Sequence, residues 1–207
     1  MLGITESERL MKKTILLTLG VALIIALTFT ACGAKTESDI PDAFAGKDKS
    51  IVLGYESMEN YSGDIMLRDT TVKEVAEKMD AGETFVVFAS FENCPWCNLL
   101  IPYLNDAAAE AGMTVGYIDT RANPEWSNNM DIDDYDLFVE KFGKYLKEDE
   151  DGKPHLYTPD TYFIKNGKIV AQHVGVTPGV ENPSNPLTSE QEEKLRKDLA
   201  NEFSKLN

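Results

Sequence analysis

Three of the 207 residues are cysteine, and two of them, Cys94 and Cys97, stand three positions apart with Pro95 and Trp96 between them. Two thiols at that spacing can close a disulfide only where the backbone turns sharply, and a helix start supplies such a turn. There the first sulfur lies over the unpaired N–H groups of the first turn, which together with the helix dipole favour thiolate over thiol. Thiolate is the nucleophile, so Cys94 is expected to be the attacking group. Pro95 suits the first turn because no N–H partner is needed there. Cys97, one turn deeper, is expected to be the more buried thiol. The chemistry is then disulfide exchange: Cys94 attacks a substrate disulfide, and Cys97 displaces the reduced substrate from the mixed disulfide. Two other readings of a lone C-x-x-C are half a zinc site and a structural bridge. No second ligand pair is present for zinc, since the only histidines, His155 and His173, lie far along the chain. No metal is expected.

Positioning such a pair needs a rigid strand before it and a long helix after it, and the pattern offers both. Thr84–Ala89 is a continuous apolar run, typical of a central strand covered on both faces. Cys94–Ala111 reads as the helix, ended by Gly112. Upstream, Ile51–Tyr55 and Ile65–Leu67 read as short strands, and Thr71–Glu74 has capping-box spacing. Val72, Val75, Ala76 and Met79 follow at helical spacing, with Gly82 as terminator. Downstream, Val115–Ile118 reads as a strand, and the stripe from Ile132 to Leu146 as a helix. Glu148–Asp151 and Gly152 read as an acidic loop. Tyr162–Lys165 and Lys168–Val174 form two strands joined by Asn166-Gly167, a strong hairpin signal. Thr177–Leu187 reads as a proline-rich loop. Ser189–Glu192 has capping-box spacing before a last helix with Leu195, Leu199, Phe203 and Leu206 on its buried stripe. This order describes layered α/β structure.

From Ile65 onward the chain resembles thioredoxin. A buried strand leads into Cys94-Pro95-Trp96-Cys97, and Pro102 follows five positions later, where thioredoxins kink the active-site helix. By propensity alone Pro102 would be a helix breaker. Thr158-Pro159 matches the pair at the family's cis-proline, and Gly167 and Gly175 follow at equal steps. The resemblance implies a three-layer fold with a central mixed sheet flanked by helices. It also implies a catalytic Cys94–Cys97 disulfide as the only redox group, with no other cofactor. A cis-Pro159 would lie beside the sulfurs, with the Thr158 backbone free to pair with an extended substrate, and Trp96 as an apolar contact. Three features depart from the family. Phe88 stands where thioredoxins carry a buried acid, and Glu92 is a weak substitute. Pro95-Trp96 replaces Gly-Pro and is similar to glutaredoxins and bacteriocin-transport accessory proteins. An insert of approximately residues 123–154 precedes Pro159. Trp126, His155 and Tyr157 border that insert and read chiefly as packing residues. Asp131, Asp133, Asp134 and Asp136 fail as a calcium loop, which needs Gly at Asp136 and Glu at Phe142. They read as an acidic helix start.

Residues 1–31 read as a secretory signal, with Met11-Lys12-Lys13 as the true start and an apolar run to Phe29. Thr30-Ala31-Cys32-Gly33 resembles a bacterial lipobox, which implies lipidation at Cys32 and leaves the other two cysteines as a pair. Residues 32–50 then read as a lipidated tether, and 51–207 as the folded domain. The expected location is the extracytoplasmic face of the cell membrane, held by the lipid. The expected partners are exported protein thiols and disulfides and a membrane redox partner not identified by the sequence. A net charge of -15 repels nucleic acid and anionic headgroups. A monomer is expected. The rival reading is a redox-inactive accessory protein of a transport or secretion system.

Overall fold

The computed structural model describes residues 40–47, 54–121 and 132–207, all within one compact unit, Thr36–Asn207. The signal segment, Cys32, residues 51–53, Trp126 and Asp131 lie outside the described residues.

Seven strands and four helices are described. In chain order they are β1 (Leu67–Asp69), α1 (Val72–Asp80), β2 (Phe85–Ser90), α2 (Pro95–Ala111), β3 (Val115–Asp119) and α3 (Ile132–Phe142). After these come β4 (Lys147–Glu148), β5 (Pro154–His155), β6 (Asp160–Lys165), β7 (Lys168–Val174) and α4 (Ser189–Ser204). Five strands make one sheet in the order β1-β3-β2-β6-β7. β1, β3 and β2 run parallel, and β6 and β7 run antiparallel to their neighbours. Helices cover both faces. Leu100, Ile101 and Leu104 of α2, with Leu195, Leu199 and Phe203 of α4, pack on Val86, Phe88 and Phe163. Val72 and Val75 of α1, with Phe138 and Phe142 of α3, pack on Val87, Tyr162 and Ile164. The middle strand β2 is therefore buried at every residue, which is why its sequence is an unbroken apolar run. This strand order, with a parallel half and an antiparallel hairpin between two helix layers, is the thioredoxin-like fold.

Local chemistry sets the element ends. The Thr71 hydroxyl accepts from the Glu74 N–H at the start of α1. Gly112 closes α2 at φ 66, a left-handed conformation that costs glycine little. Asn166 and Gly167 turn the β6–β7 hairpin at φ 50 and 73, as the sequence pattern requires. A side chain at Gly167 would meet the Met79 carbonyl at 2.1 Å, so close packing demands glycine there as well.

Four expectations change. The segment read as tether includes Ile40–Lys47, which packs on the domain: Phe44 is 1% exposed, its ring edge-on to Phe85 at 5.6 Å. Tyr55 is not a strand residue but leads into a 3-10 turn, Glu56–Met58. Within the insert, the helix stops at Phe142, and the acidic loop is the tip of a small β4–β5 hairpin, where the Asp149 carboxylate accepts from the N–H groups of Asp151 and Lys153. The last helix is capped one residue earlier than the pattern suggested. Thr188 and Gln191 satisfy each other's backbone amides in a reciprocal capping box.

The helix α2 runs through Pro102 rather than breaking there. Pro102 has no N–H to give to the carbonyl four residues back, that of Asn98. That oxygen accepts from the Ser57 hydroxyl at 2.6 Å instead, and the Asn98 side chain accepts from the Ser57 N–H at 3.0 Å. The strap Glu56–Met58 is thus pinned to the first turns of α2 by a bond the proline left free.

Candidate functional site

Cys94 is the N-cap residue of α2, with Pro95 at the first helical position. Its extended backbone lifts the sulfur over the helix mouth, where Sγ accepts the Cys97 N–H at 3.1 Å. Cys94 and Cys97 are joined as a disulfide, with Cα atoms 5.2 Å apart. Asn93, just before the pair, holds φ 63, a conformation Asn tolerates better than most residues. Cys94 is 3% exposed and Cys97 fully buried, the order expected from their places in the helix. When the pair is reduced, the same N–H and the helix dipole favour negative charge on the Cys94 sulfur.

Thr158-Pro159 is a cis peptide. Asp160 pairs with Ala89, so the loop of Pro159 lies at the end of the sheet from which the chain leaves β2 for Cys94. The Pro159 carbonyl accepts the Gly175 N–H at 2.9 Å, which ties the loop to the end of β7. Trp96 is half-buried against the core that contains both cysteines, and with Val174, Gly175 and Pro178 it lines a surface cleft. Its ring thus packs on the core and also walls a groove. Tyr157 is exposed and rests on the His155 ring at 4.5 Å.

A second cleft of about 450 Å³ reaches Cys94 itself. Tyr55 and Glu56 of the strap, Asn98 of α2, and Pro183 and Ser184 of the long β7–α4 loop line it. Neither the strap nor that loop carried a signal that would place it beside the cysteines.

Phe88 is buried with its ring edge-on to Tyr117, so the position of the missing acid is apolar. Glu92 is exposed, its side chain against Gly54. The buried polar groups on this side of the sheet include a hydroxyl cluster that sequence reading missed. The Tyr55 hydroxyl lies 2.7 Å from Ser90 Oγ and 2.9 Å from the Tyr117 hydroxyl. Burial pushes the Tyr55 phenol up to about 12, although both hydrogen bonds oppose the shift. The phenol is therefore a donor at neutral pH and not a base. A Ser ending an apolar strand was the one available hint.

Two further buried titratable groups flank the β6–β7 hairpin. Asp160 is 2% exposed and accepts from the Tyr162 hydroxyl at 2.5 Å and from Gln172 Nε2 at 2.9 and 3.0 Å. Burial pushes its carboxyl up to about 7, with these hydrogen bonds opposing. His173 Nε2–H donates to the Val176 carbonyl at 2.7 Å, and Nδ1 lies 3.3 Å from Glu202 Oε1. Burial works against the imidazolium, but the Glu202 carboxylate outweighs it and raises the His173 pKa. A carboxyl raised from its ordinary 3.8 to about 7 stabilises the fold fully below pH ~4, and that contribution is lost as pH rises through 7. We expect Asp160→Asn to remove a slope on the order of 3 kcal/mol between about pH 4 and 7 in urea titrations. His173, whose pKa is also raised, adds a loss of the same sign only above about pH 6.5, so the variant's profile should be flat below that. An unchanged pH profile in the variant would show that Asp160 is ionised throughout.

Among the described residues no group of three His, Cys, Asp or Glu side chains is placed to hold a metal, and no helix is long and apolar enough to cross a membrane.

No protein-family model matches the chain. Solved structures similar to it include a mutant thioredoxin from Halobacterium salinarum NRC-1. That likeness has 12% identity, 66% of this chain and 95% of that one covered, and a TM-score of 0.35. Thioredoxin O2 from Arabidopsis thaliana in the oxidized state is similar at 18% identity, with 54% and 84% covered and a TM-score of 0.35. The fold class rests on the strand order of the chain itself. A disulfide of C-x-x-C spacing at the head of the second helix of this fold fits thiol–disulfide exchange.

Proposed function

We propose that the chain is a membrane-tethered, extracytoplasmic thiol–disulfide oxidoreductase acting on exported proteins. The observation that carries the chemistry is the Cys94 sulfur at the mouth of α2, bonded to the Cys97 N–H and covalently to Cys97. The export signal and the lipobox-like Ala31-Cys32 support the location, with lipid on Cys32 as the anchor. Thr158 and Pro159 are the proposed substrate-backbone contact and Trp96 the apolar one. The disulfide is the only redox group required. The protein acts as a monomer without nucleic acid, and a membrane redox partner resets the pair. Its direction follows from the reduction potential of Cys94–Cys97 relative to that partner.

The test is an assay of purified protein in both directions: insulin reduction with a thiol reductant, and oxidation of a reduced peptide by the disulfide form. Turnover in one of them is expected. Inertness in both, with Cys94 of the reduced protein unreactive to iodoacetamide, would overturn the proposal. Cys32→Ala should shift the protein from the membrane to the soluble fraction. The accessory-protein reading is favoured by one observation, the apolar Phe88 in place of a proton-relaying acid. It would prevail if a Cys94→Ser, Cys97→Ser double variant retained full function in cells.

A further inference from the structure

Access to the reactive sulfur is narrow and the wall of the passage is negatively charged. Cys94 is 3% exposed, and the cleft of about 450 Å³ that reaches it is of small-ligand size. Its lining holds one charged side chain, Glu56, and no Lys or Arg among the described residues. Glu92 packs beside the same wall, against Gly54. The fields of Asp119 and Glu92 also reach the Tyr55 hydroxyl, buried behind that wall, both disfavouring a further negative charge there. Arg121, stacked on the Phe91 ring at 3.3 Å, keeps its charge but does not line this cleft. The chain as a whole carries -15. By contrast, the cleft beside Trp96 has its Lys194 paired with Asp198 at 2.6 Å.

We propose that this cleft selects disulfides by charge, taking those whose flanks are cationic, such as cysteines bordered by Lys or Arg, and rejecting anionic ones. Clefts walled by one sign of charge concentrate opposite charge and speed its encounter by about tenfold or more. The inference rests on the exchange reading above. In the step concerned, the Cys94 thiolate of the reduced protein attacks one sulfur of R–S–S–R, forming Cys94–S–S–R and releasing RS⁻. Cys97 then loses its proton to solvent and attacks the Cys94 sulfur. The second RS⁻ leaves, two electrons have passed to the substrate, and the protein disulfide is restored. A cationic R enters against Glu56, whereas an anionic R meets like charge on approach.

Three small disulfides of similar size test this: cystamine, 2-hydroxyethyl disulfide and 3,3′-dithiodipropionate, which are doubly positive, neutral and doubly negative at pH 7. Each second-order rate with the reduced full chain is divided by that of a free monothiol with the same reagent, which removes intrinsic reactivity. We expect cystamine to react about tenfold faster than dithiodipropionate at low salt, with the neutral reagent between, and the ratio to fall to about twofold in ~0.5 M salt. Glu56→Lys should lower the low-salt ratio to about threefold or less. Glu148→Lys, the same charge change on β4, outside the cleft, should leave it near tenfold. Equal rates for the three reagents, a preference for the anion, or equal effects of the two variants would overturn charge selection and leave exchange standing. No reaction with any of them would overturn both.

Discussion

A Cys97→Ser variant will accumulate a covalent complex with disulfide substrates, whereas Cys94→Ser will form none. The reason lies in the helix cap. Only the Cys94 sulfur sits at the mouth of α2, where it meets the Cys97 N–H and the positive end of the helix dipole. Cys97 is fully buried, so it can reach a sulfur already delivered to Cys94 but no substrate from outside. With Cys97 removed, attack proceeds and resolution stops at the mixed disulfide. With Cys94 removed, turnover should fall by at least roughly 10³-fold, the scale seen when a covalent nucleophile is deleted. Non-reducing gels and mass spectrometry after mixing with an oxidised peptide read the outcome. A trapped complex on Cys97 in the Cys94→Ser variant would mean that the roles are reversed.

The largest stability effect should come from a residue in a segment that looks like linker. Phe44→Ala is expected to cost about 3–5 kcal/mol, the range for deleting a buried aromatic ring. The ring is buried edge-on to Phe85, and it fills the space above Gly116, where an added Cβ would stand 2.4 Å from its Cζ. Gly116 lies in β3, held by β1 on one side and β2 on the other, so the backbone there cannot retreat. Gly116→Ala should therefore also destabilise, by about 1–3 kcal/mol through overpacking. The double variant should lose less than the sum, because without the ring the added methyl has room. Urea midpoints with unchanged slopes would measure all three. A Phe44→Ala midpoint equal to that of the parent would show that the segment adds nothing to the fold.

These cases show where sequence is a good guide to this molecule and where it is not. The buried strand before the cysteines, the helix they open, and the Asn166-Gly167 hairpin each follow from a local rule: an apolar run, a cap, a turn dipeptide. Their causes and their effects are neighbours in the chain. Phe44 is one aromatic among small and polar residues, so no period marks it, and its site exists only once β3 presents a glycine. The hydroxyl cluster joins Tyr55 to Ser90 and Tyr117 over separations of 35 and 62 residues. Each side chain alone is unremarked. Asp160 looks like a strand-edge acid until β7 brings Gln172 across from Tyr162. The cleft at Cys94 is likewise assembled from a turn before the first strand and a loop before the last helix. The reactive pair could be read directly, but its surroundings depend on tertiary contacts.

Pro102 and Ser57 answer one another across the molecule. An amide restored at position 102 would compete for the Asn98 carbonyl and free the turn that walls the reactive sulfur. A hydroxyl lost at 57 would leave that carbonyl to water. Neither position drifts neutrally while the other stays fixed, so in related chains the two are expected to be inherited as a pair.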